Sequence, residues 1–481
     1  MKKPRQPGQQ RATQRGLRRF IRSRRRLARG QSYRAKAFLP QDTTLNHLVG
    51  SLKKLTNSKA FRRDPPIRPT KVTLQDGDDL TGTRRSRTVQ GTKVTLYVPA
   101  LLSLSRNPAG SFGFLSDLIQ ALHKVRAPLL VLDYAICTEV DLDASVCMDA
   151  IMRRFISRHH LLRHHYRERA ITCAIRAINL THPTVRRFFW STGAGQSIMQ
   201  RDLKFPNILR MPLQTGRQDP TRLGRNEKTI TDLFEHLEKC LARFGKQLTS
   251  KDAERFGDII GEVLDNAEQH SSLPFNFACA HFEEHHSPPD DPEAAADETL
   301  SKGEHYGRFQ IVICNFGQTI YERLKDPVAC LTRATILPQM RDLSAHYNKK
   351  GWFGFGERPF QEETLWTLYA LQDGVSSLRK DRGRGTIRFI TDFLALRSKS
   401  ENKKSQLTLM SGNTRIHLDG TYGVVEQENS LGEVQRRITF NDAEDLYQKP
   451  DPRVVTFVPQ YLPGTLLYAD IYLTDEHLQP V

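Results

Sequence analysis

Between Arg255 and His270 the apolar residues recur with helical spacing: Phe256, Ile259, Ile260, Val263 and Ala267 fall at i, i+3, i+4, i+7 and i+11. This stripe predicts a helix lying on a core. Thr249 or Ser250 supplies its N-cap, with Asp252 in the first turn. Glu262, Asn266 and His270 fall at i, i+4 and i+8, so they stack on one face about 100° round from the stripe. A polar line at the edge of a core is most often a solvated flank, and only the rest of the chain gives it another meaning.

Upstream, Lys93-Val94-Thr95-Leu96-Tyr97-Val98-Pro99 alternates as a strand, and Phe112 to about Val125 is helical. Leu129-Leu130-Val131-Leu132-Asp133-Tyr134 is a continuous apolar run of the kind buried on both faces of a sheet. Val140 to Phe155 reads as a helix through Val146, Met148, Ala150, Ile151 and Phe155. Ile171 to Asn179 reads as a strand, and Val185 to Ser191 starts a third helix. Such alternation predicts a small α/β domain over residues 91–200. Residues 201–226 are mostly polar with Pro and Gly and read as a linker.

A second domain, over residues 227–475, is expected to open with a helix from Ile230 to about Phe244, followed by the 255–270 helix and a strand from Phe275 to Phe282. An acidic, Pro-bearing insertion at about 284–305 precedes a second strand, Phe309 to Cys314. A helix from Glu363 to about Gln372 and another from about Ile387 to Leu396 follow. Strands Gln406 to Met410, Val454 to Val458 and Leu466 to Leu473 close the domain, the last preceded by Pro463-Gly464-Thr465.

With 481 residues the chain has length for more than one core. No apolar run approaches twenty residues, so no transmembrane segment is expected. The basic start has no apolar stretch behind it, and no secretory signal is expected. Seven scattered cysteines without a Cys-x-x-Cys pair point to a reducing cytoplasm rather than a disulfide framework or zinc knuckle.

The net charge of +19 is unevenly placed. Fourteen of the 72 Lys and Arg lie in residues 1–40, which hold no Asp or Glu, while the rest of the chain carries 58 basic against 53 acidic residues. Residues 1–90 therefore read as a basic arm and a polar linker. The arm would bind nucleic acid or another polyanion by counterion release, or serve as a solvated tail. His160 and His164 sit among arginines without a carboxylate, a basic face rather than a metal site. His281, His285 and His286 beside the insertion lack a His-Glu-x-x-His pattern and read as surface loop.

In the first domain, the buried strand ending in Asp133, the patch Asp141-Leu142-Asp143-Ala144-Ser145 opening the next helix and the later Thr192-Gly193 resemble the STAS domain of anti-sigma antagonists. That resemblance would make Ser145 or Thr138 the nearest match to a phosphorylated residue. Asp-Ser-Gly is missing here, and the plain alternative is a helix residue beside an N-cap.

In the second domain four segments occur in order: Glu262-x-x-x-Asn266-Ala267-x-x-His270, Asn315-Phe316-Gly317-Gln318-Thr319-Ile320, Gly351-Trp352-Phe353-Gly354-Phe355-Gly356, and Arg382-Gly383-Arg384-Gly385-Thr386. Together they resemble the GHKL or Bergerat ATPases, most of all the anti-sigma-factor kinases, over residues 225–475. The resemblance implies a Bergerat α/β sandwich, a mixed sheet covered by helices on one face, with ATP and Mg²⁺ as ligands. Asn266 would hold Mg²⁺, and Glu262 would orient or deprotonate the attacking water or hydroxyl. Asn315 stands where the superfamily has an Asp for the adenine amino group, with Gly317 after it and Thr319 in place of a later Gly. Gly383, Gly385 and Thr386 would hold phosphate, under a lid carrying Ser376, Ser377, Lys380 and Arg382. No Walker A pattern occurs.

Kinase and hydrolase chemistry share such a site. The fused domains imply partner switching with another protein, and no dimerisation helix with a phospho-accepting His precedes the domain. A nonenzymatic nucleotide-sensing or nucleic-acid-associated scaffold is the alternative, on the strength of Asn315 and the basic arm.

Overall fold

The computed structural model describes residues 87–90, 93–123, 129–152, 174–193, 205, 208–217, 225–270, 275–286, 305–347, 361–375, 385–396, 405–428 and 434–481. The 1–40 arm, His160, His164, most of the 284–305 insertion and the Gly351–Gly356 segment lie outside them.

The chain is mixed α/β. Its first described strand, β1 (Arg87–Gln90), runs antiparallel to β2 (Lys93–Tyr97). A two-residue β3 (Leu101–Leu102) leads to α1 (Pro108–His123), then β4 (Leu129–Asp133) and β5 (Glu139–Val140), which pairs back on β3. Helix α2 covers residues 142–152, followed by β6 (Ala174–Ile178) and α3 (Pro183–Thr192). β2, β4 and β6 are parallel, giving the order β1-β2-β4-β6. The apolar run at 129–133 is the central strand of this sheet, as continuous burial requires. Every side chain of α2 is buried, including Asp143, Ser145 and Asp149. A helix buried on all sides lies inside a protein, not on its surface.

Residues 214–217 form an edge strand, β7 (Gln214–Arg217), where sequence composition suggested only linker. Next come α4 (Arg225–Ala242), β8 (Lys246–Leu248), α5 (Ser250–His270), β9 (Phe275–His286) and β10 (His305–Phe316). Short helices α6 (Ile320–Lys325), α7 (Arg333–Tyr347) and α8 (Glu362–Tyr369) share a small core of their own around Met340 and Trp366. After α9 (Gly385–Ala395) follow β11 (Gln406–Leu418), β12 (Val425–Glu428) and β13 (Val434–Arg437). The chain closes with β14 (Val455–Leu473) and β15 (Leu478–Pro480), the latter paired with β8. The two expected strands at 454–458 and 466–473 are one strand, carried through Pro463 by Gly464 at φ 129°.

The larger sheet has the order β11-β14-β10-β9-β7, and all its described pairings are antiparallel. It is covered on both faces, which corrects the expectation of a mixed sheet covered on one. On β10, Phe309, Ile311 and Ile313 join a core with α4, α5 and α9. The alternate residues Val312, Cys314 and Phe316 join the core of the N-terminal module. Successive side chains leave a strand on opposite faces, so one strand serves both cores.

A polar seam runs through the second of these faces. Arg106 grips the buried Asp141 with two contacts of 2.7 Å and Glu139 with one of 2.5 Å. Arg308 of β10 bonds Asp470 of β14 at 2.9 and 2.7 Å and stands 3.8 Å from Asp141. His281 is buried in β9, with Nδ1 2.7 Å from Ser191 Oγ of α3 and Nε2 3.1 Å from Glu283. It is therefore an interlayer residue and not part of a surface loop; the side chains of His285 and His286 lie outside the described residues.

Candidate functional site

Helix α5 forms where the stripe predicts. Phe256, Ile259, Ile260 and Val263 are buried, while Glu262 and Asn266 are half-buried on its flank. Thr249 caps it: its Oγ1 accepts the N–H of Asp252 at 3.2 Å and donates to that carboxylate at 2.8 Å. The side chains of Ala267 and His270 lie outside the described residues.

Three contacts orient this helix on the sheet. The N–H of Thr249 donates to the carbonyl of His477 at 2.9 Å, four residues past Leu473, and Leu473 is paired with Gly307 near the start of β10. Phe256 meets Phe309 edge to face at 5.9 Å. The helix thus runs from the start of β10 toward its end. Ten residues of helix from Phe256 to Asn266 climb about 15 Å, and six of strand from Phe309 to Asn315 about 20 Å. Asn266 comes to the Asn315 end of the sheet.

Helix α9 packs antiparallel to α5. Arg388 bonds Asp258 at 2.5 Å, and Arg255 reaches the carbonyl of Ala395 at 3.5 Å. Continued toward the start of α9, that register brings Gly385 and Thr386 to about the level of Glu262, a turn before Asn266. The N-terminus of α9, with its outward N–H groups, therefore opens at the same end of the same face. Ser376, Ser377, Lys380, Arg382 and Gly383 precede it and lie outside the described residues.

Asn315 is buried at the end of β10. It shares the face of Ile311 and Ile313, the one that α5 covers. Thr465 of β14 lies directly opposite it, and Ser411 of β11 lies opposite Thr465, so three polar side chains form one row across the sheet. One residue pair inward, the row Ile313, Leu467 and Leu409 is apolar and buried. Asn315 Oδ1 accepts the N–H of Thr465 at 3.1 Å. Ser411 Oγ accepts the N–H of Ile320 at 2.9 Å, donates to the carbonyl of Gly464 at 3.0 Å and stands 3.2 Å from Thr465 Oγ1. Ser411 and Thr465 escaped sequence reasoning because only the register brings them beside Asn315. The Pro463-Gly464-Thr465 punctuation before the last strand was the available signal.

The turn after Asn315 is built from the residues its motif contains. Gly317 has φ 142° and donates its N–H to Pro463 at 3.2 Å. Thr319, where the resemblance expects glycine, is the N-cap of α6: it accepts from Glu322 N–H at 3.1 Å, and the Glu322 carboxylate accepts the N–H of Thr319 at 3.1 Å. A reciprocal capping box is thus the local reason for threonine.

Ser145 stands apart from this end. It is 1% exposed in α2, within the core on the other face of the larger sheet, and its Oγ has no hydrogen-bond partner among the described residues. A kinase cannot reach it in this arrangement, which removes it as a phosphorylation site of the assembled chain. Thr138 bonds the carbonyl of Ala100 at 3.2 Å on the exposed side of the module. Among the described residues no group of three His, Cys, Asp or Glu could hold a metal ion, and no helix is long and apolar enough to cross a membrane.

No family model matches the chain, and no curated protein and no solved structure matches it.

Proposed function

We propose that the chain is a GHKL-type protein that binds a nucleoside triphosphate with Mg²⁺, ATP being the nucleotide its motifs imply, with a STAS-like module fused to a Bergerat-type domain. The observation that carries this reading is convergence. The Glu262–Asn266 flank of α5, the N-terminus of α9 at Gly385 and the buried Asn315 at the end of β10 meet at one end of one sheet face, though the segments are far apart in sequence.

The donor set fits the ligand. The amide oxygen of Asn266 is a hard ligand suited to Mg²⁺, which keeps several waters and takes its other oxygens from phosphate, so a site with one protein oxygen is reasonable. Gly383, Gly385 and Thr386 would hold phosphate with backbone N–H groups, and Ser376, Ser377, Lys380 and Arg382 would close over it. Bound Mg²⁺ neutralises charge on the phosphate oxygens. Glu262 lies one turn before Asn266 and would take the proton of the attacking water in hydrolysis, or of a Ser or Thr hydroxyl in transfer to a partner protein.

Burial of Ser145 behind the sheet favours a partner in trans over phosphorylation of the chain's own module. Titration calorimetry with ATP tests the reading. Saturable heat in Mg²⁺ that disappears in EDTA and in Asn266→Ala is expected, and Mg²⁺-independent or unchanged binding in that variant would contradict it. With radiolabelled ATP, label on protein marks a kinase and free phosphate an ATPase. Binding with neither product marks a nucleotide sensor, the alternative that the substitution of Asn315 for Asp supports.

A further inference from the structure

We propose that the base end of this site selects a 6-oxopurine, so that inosine and guanosine triphosphates bind in preference to ATP. The proposal rests on the nucleotide reading above and concerns which base the Asn315 row recognises.

A carboxylate at position 315 would carry two acceptor oxygens. One could take the N–H of Thr465, and the other would remain for the exocyclic amine of adenine. Asn315 has a single acceptor, and Oδ1 is committed to the Thr465 N–H at 3.1 Å. A backbone N–H can only donate, so the chemistry of that contact fixes which end of the amide faces β14. Its other end is NH₂, a donor. What the amide offers a base is therefore matched to an oxygen at position 6 and mismatched to an amine there.

The neighbours in the row do not restore the lost acceptor. Ser411 gives its hydroxyl hydrogen to Gly464 O and accepts from Ile320 N–H, with Thr465 Oγ1 3.2 Å away. Rotation of the amide is opposed by the same bond. Turned over, Asn315 would set its NH₂ against the Thr465 N–H and leave two donors facing each other in a site where Asn315 is only 5% exposed. Gly464 holds the strands in this relation, because a Cβ there would stand 2.0 Å from the carbonyl oxygen of Asn315.

ATP and ITP differ in hydrogen-bonding character at position 6 and the adjoining N1, so they isolate the claim without any mutation. Calorimetric titration of the full chain in Mg²⁺ should give ITP and GTP affinities about tenfold above that of ATP, the worth of one hydrogen bond. In Asn315→Asp the second acceptor returns and the order should invert. Equal or tighter binding of ATP by the unmodified chain overturns this proposal and leaves the nucleotide reading intact. Absence of binding by all three nucleotides overturns the nucleotide reading itself.

Discussion

Gly464 governs how β14 meets the end of β10. Its φ of 129° and the 2.0 Å that would separate a Cβ at this position from Asn315 O leave no room for a side chain. Gly464→Ala should cost about 1–3 kcal/mol through overpacking and strain, read as a lower urea midpoint, and should weaken nucleotide binding beyond that loss. An unchanged midpoint would contradict the close approach. Asp143 is a residue of the other face: it accepts the N–H groups of Ser105 and Leu104 at 2.8 and 3.2 Å. Burial, and then the neighbouring Asp141 carboxylate, push its pKa up to about 7. The folded state thus holds this proton more tightly than the unfolded chain does. Its contribution to stability is complete below the ordinary carboxylate range and is lost as pH rises through about 7. Thermal unfolding at pH 5.5 and 8 should show a fall that is shallower in Asp143→Asn; equal falls would count against it.

Among the elements, α5 was the most legible in the sequence, because a stripe at helical spacing and a Thr249 cap are both local signals. Helix α2 was legible as a helix but not in its burial. Leu142, Asp143, Ser145 and Asp149 put polar groups on what looks like a solvated side, and only the sheet laid over them makes it interior. A test follows from Ser145. Replacing a buried hydroxyl that has no partner among the described residues by alanine should leave stability within about 0.5 kcal/mol or raise it. Ser145→Asp should cost more than about 3 kcal/mol, because it buries a charge. Equal unfolding midpoints for the two variants would mean that Ser145 is open to solvent after all. The edge strand β7 was hidden for a different reason, since Gln214-Thr215-Gly216-Arg217 has no apolar alternation and is a strand only by pairing with β9.

At the scale of the whole molecule, the larger sheet carries two different loads. One face, under α4, α5 and α9, holds the residues with nucleotide chemistry at its Asn315 end. The other is sealed by the N-terminal module through the seam of Arg106, Asp141, Arg308 and Asp470. The seam could not be read from sequence, because its members are separated by as many as 364 positions and none belongs to a motif. Half of the candidate site was legible in the same sense. Glu262, Asn266, Asn315 and Gly385 announce themselves through motif order, whereas Ser411 and Thr465 depend on register alone. Photoaffinity labelling with an 8-azidopurine nucleoside triphosphate in Mg²⁺, followed by peptide mapping, tests the assignment of nucleotide to the helix-covered face most directly. Label competed by unmodified nucleotide is predicted within residues 315–319, 405–413 or 463–465. Competed label in the N-terminal module, residues 93–193, would contradict it.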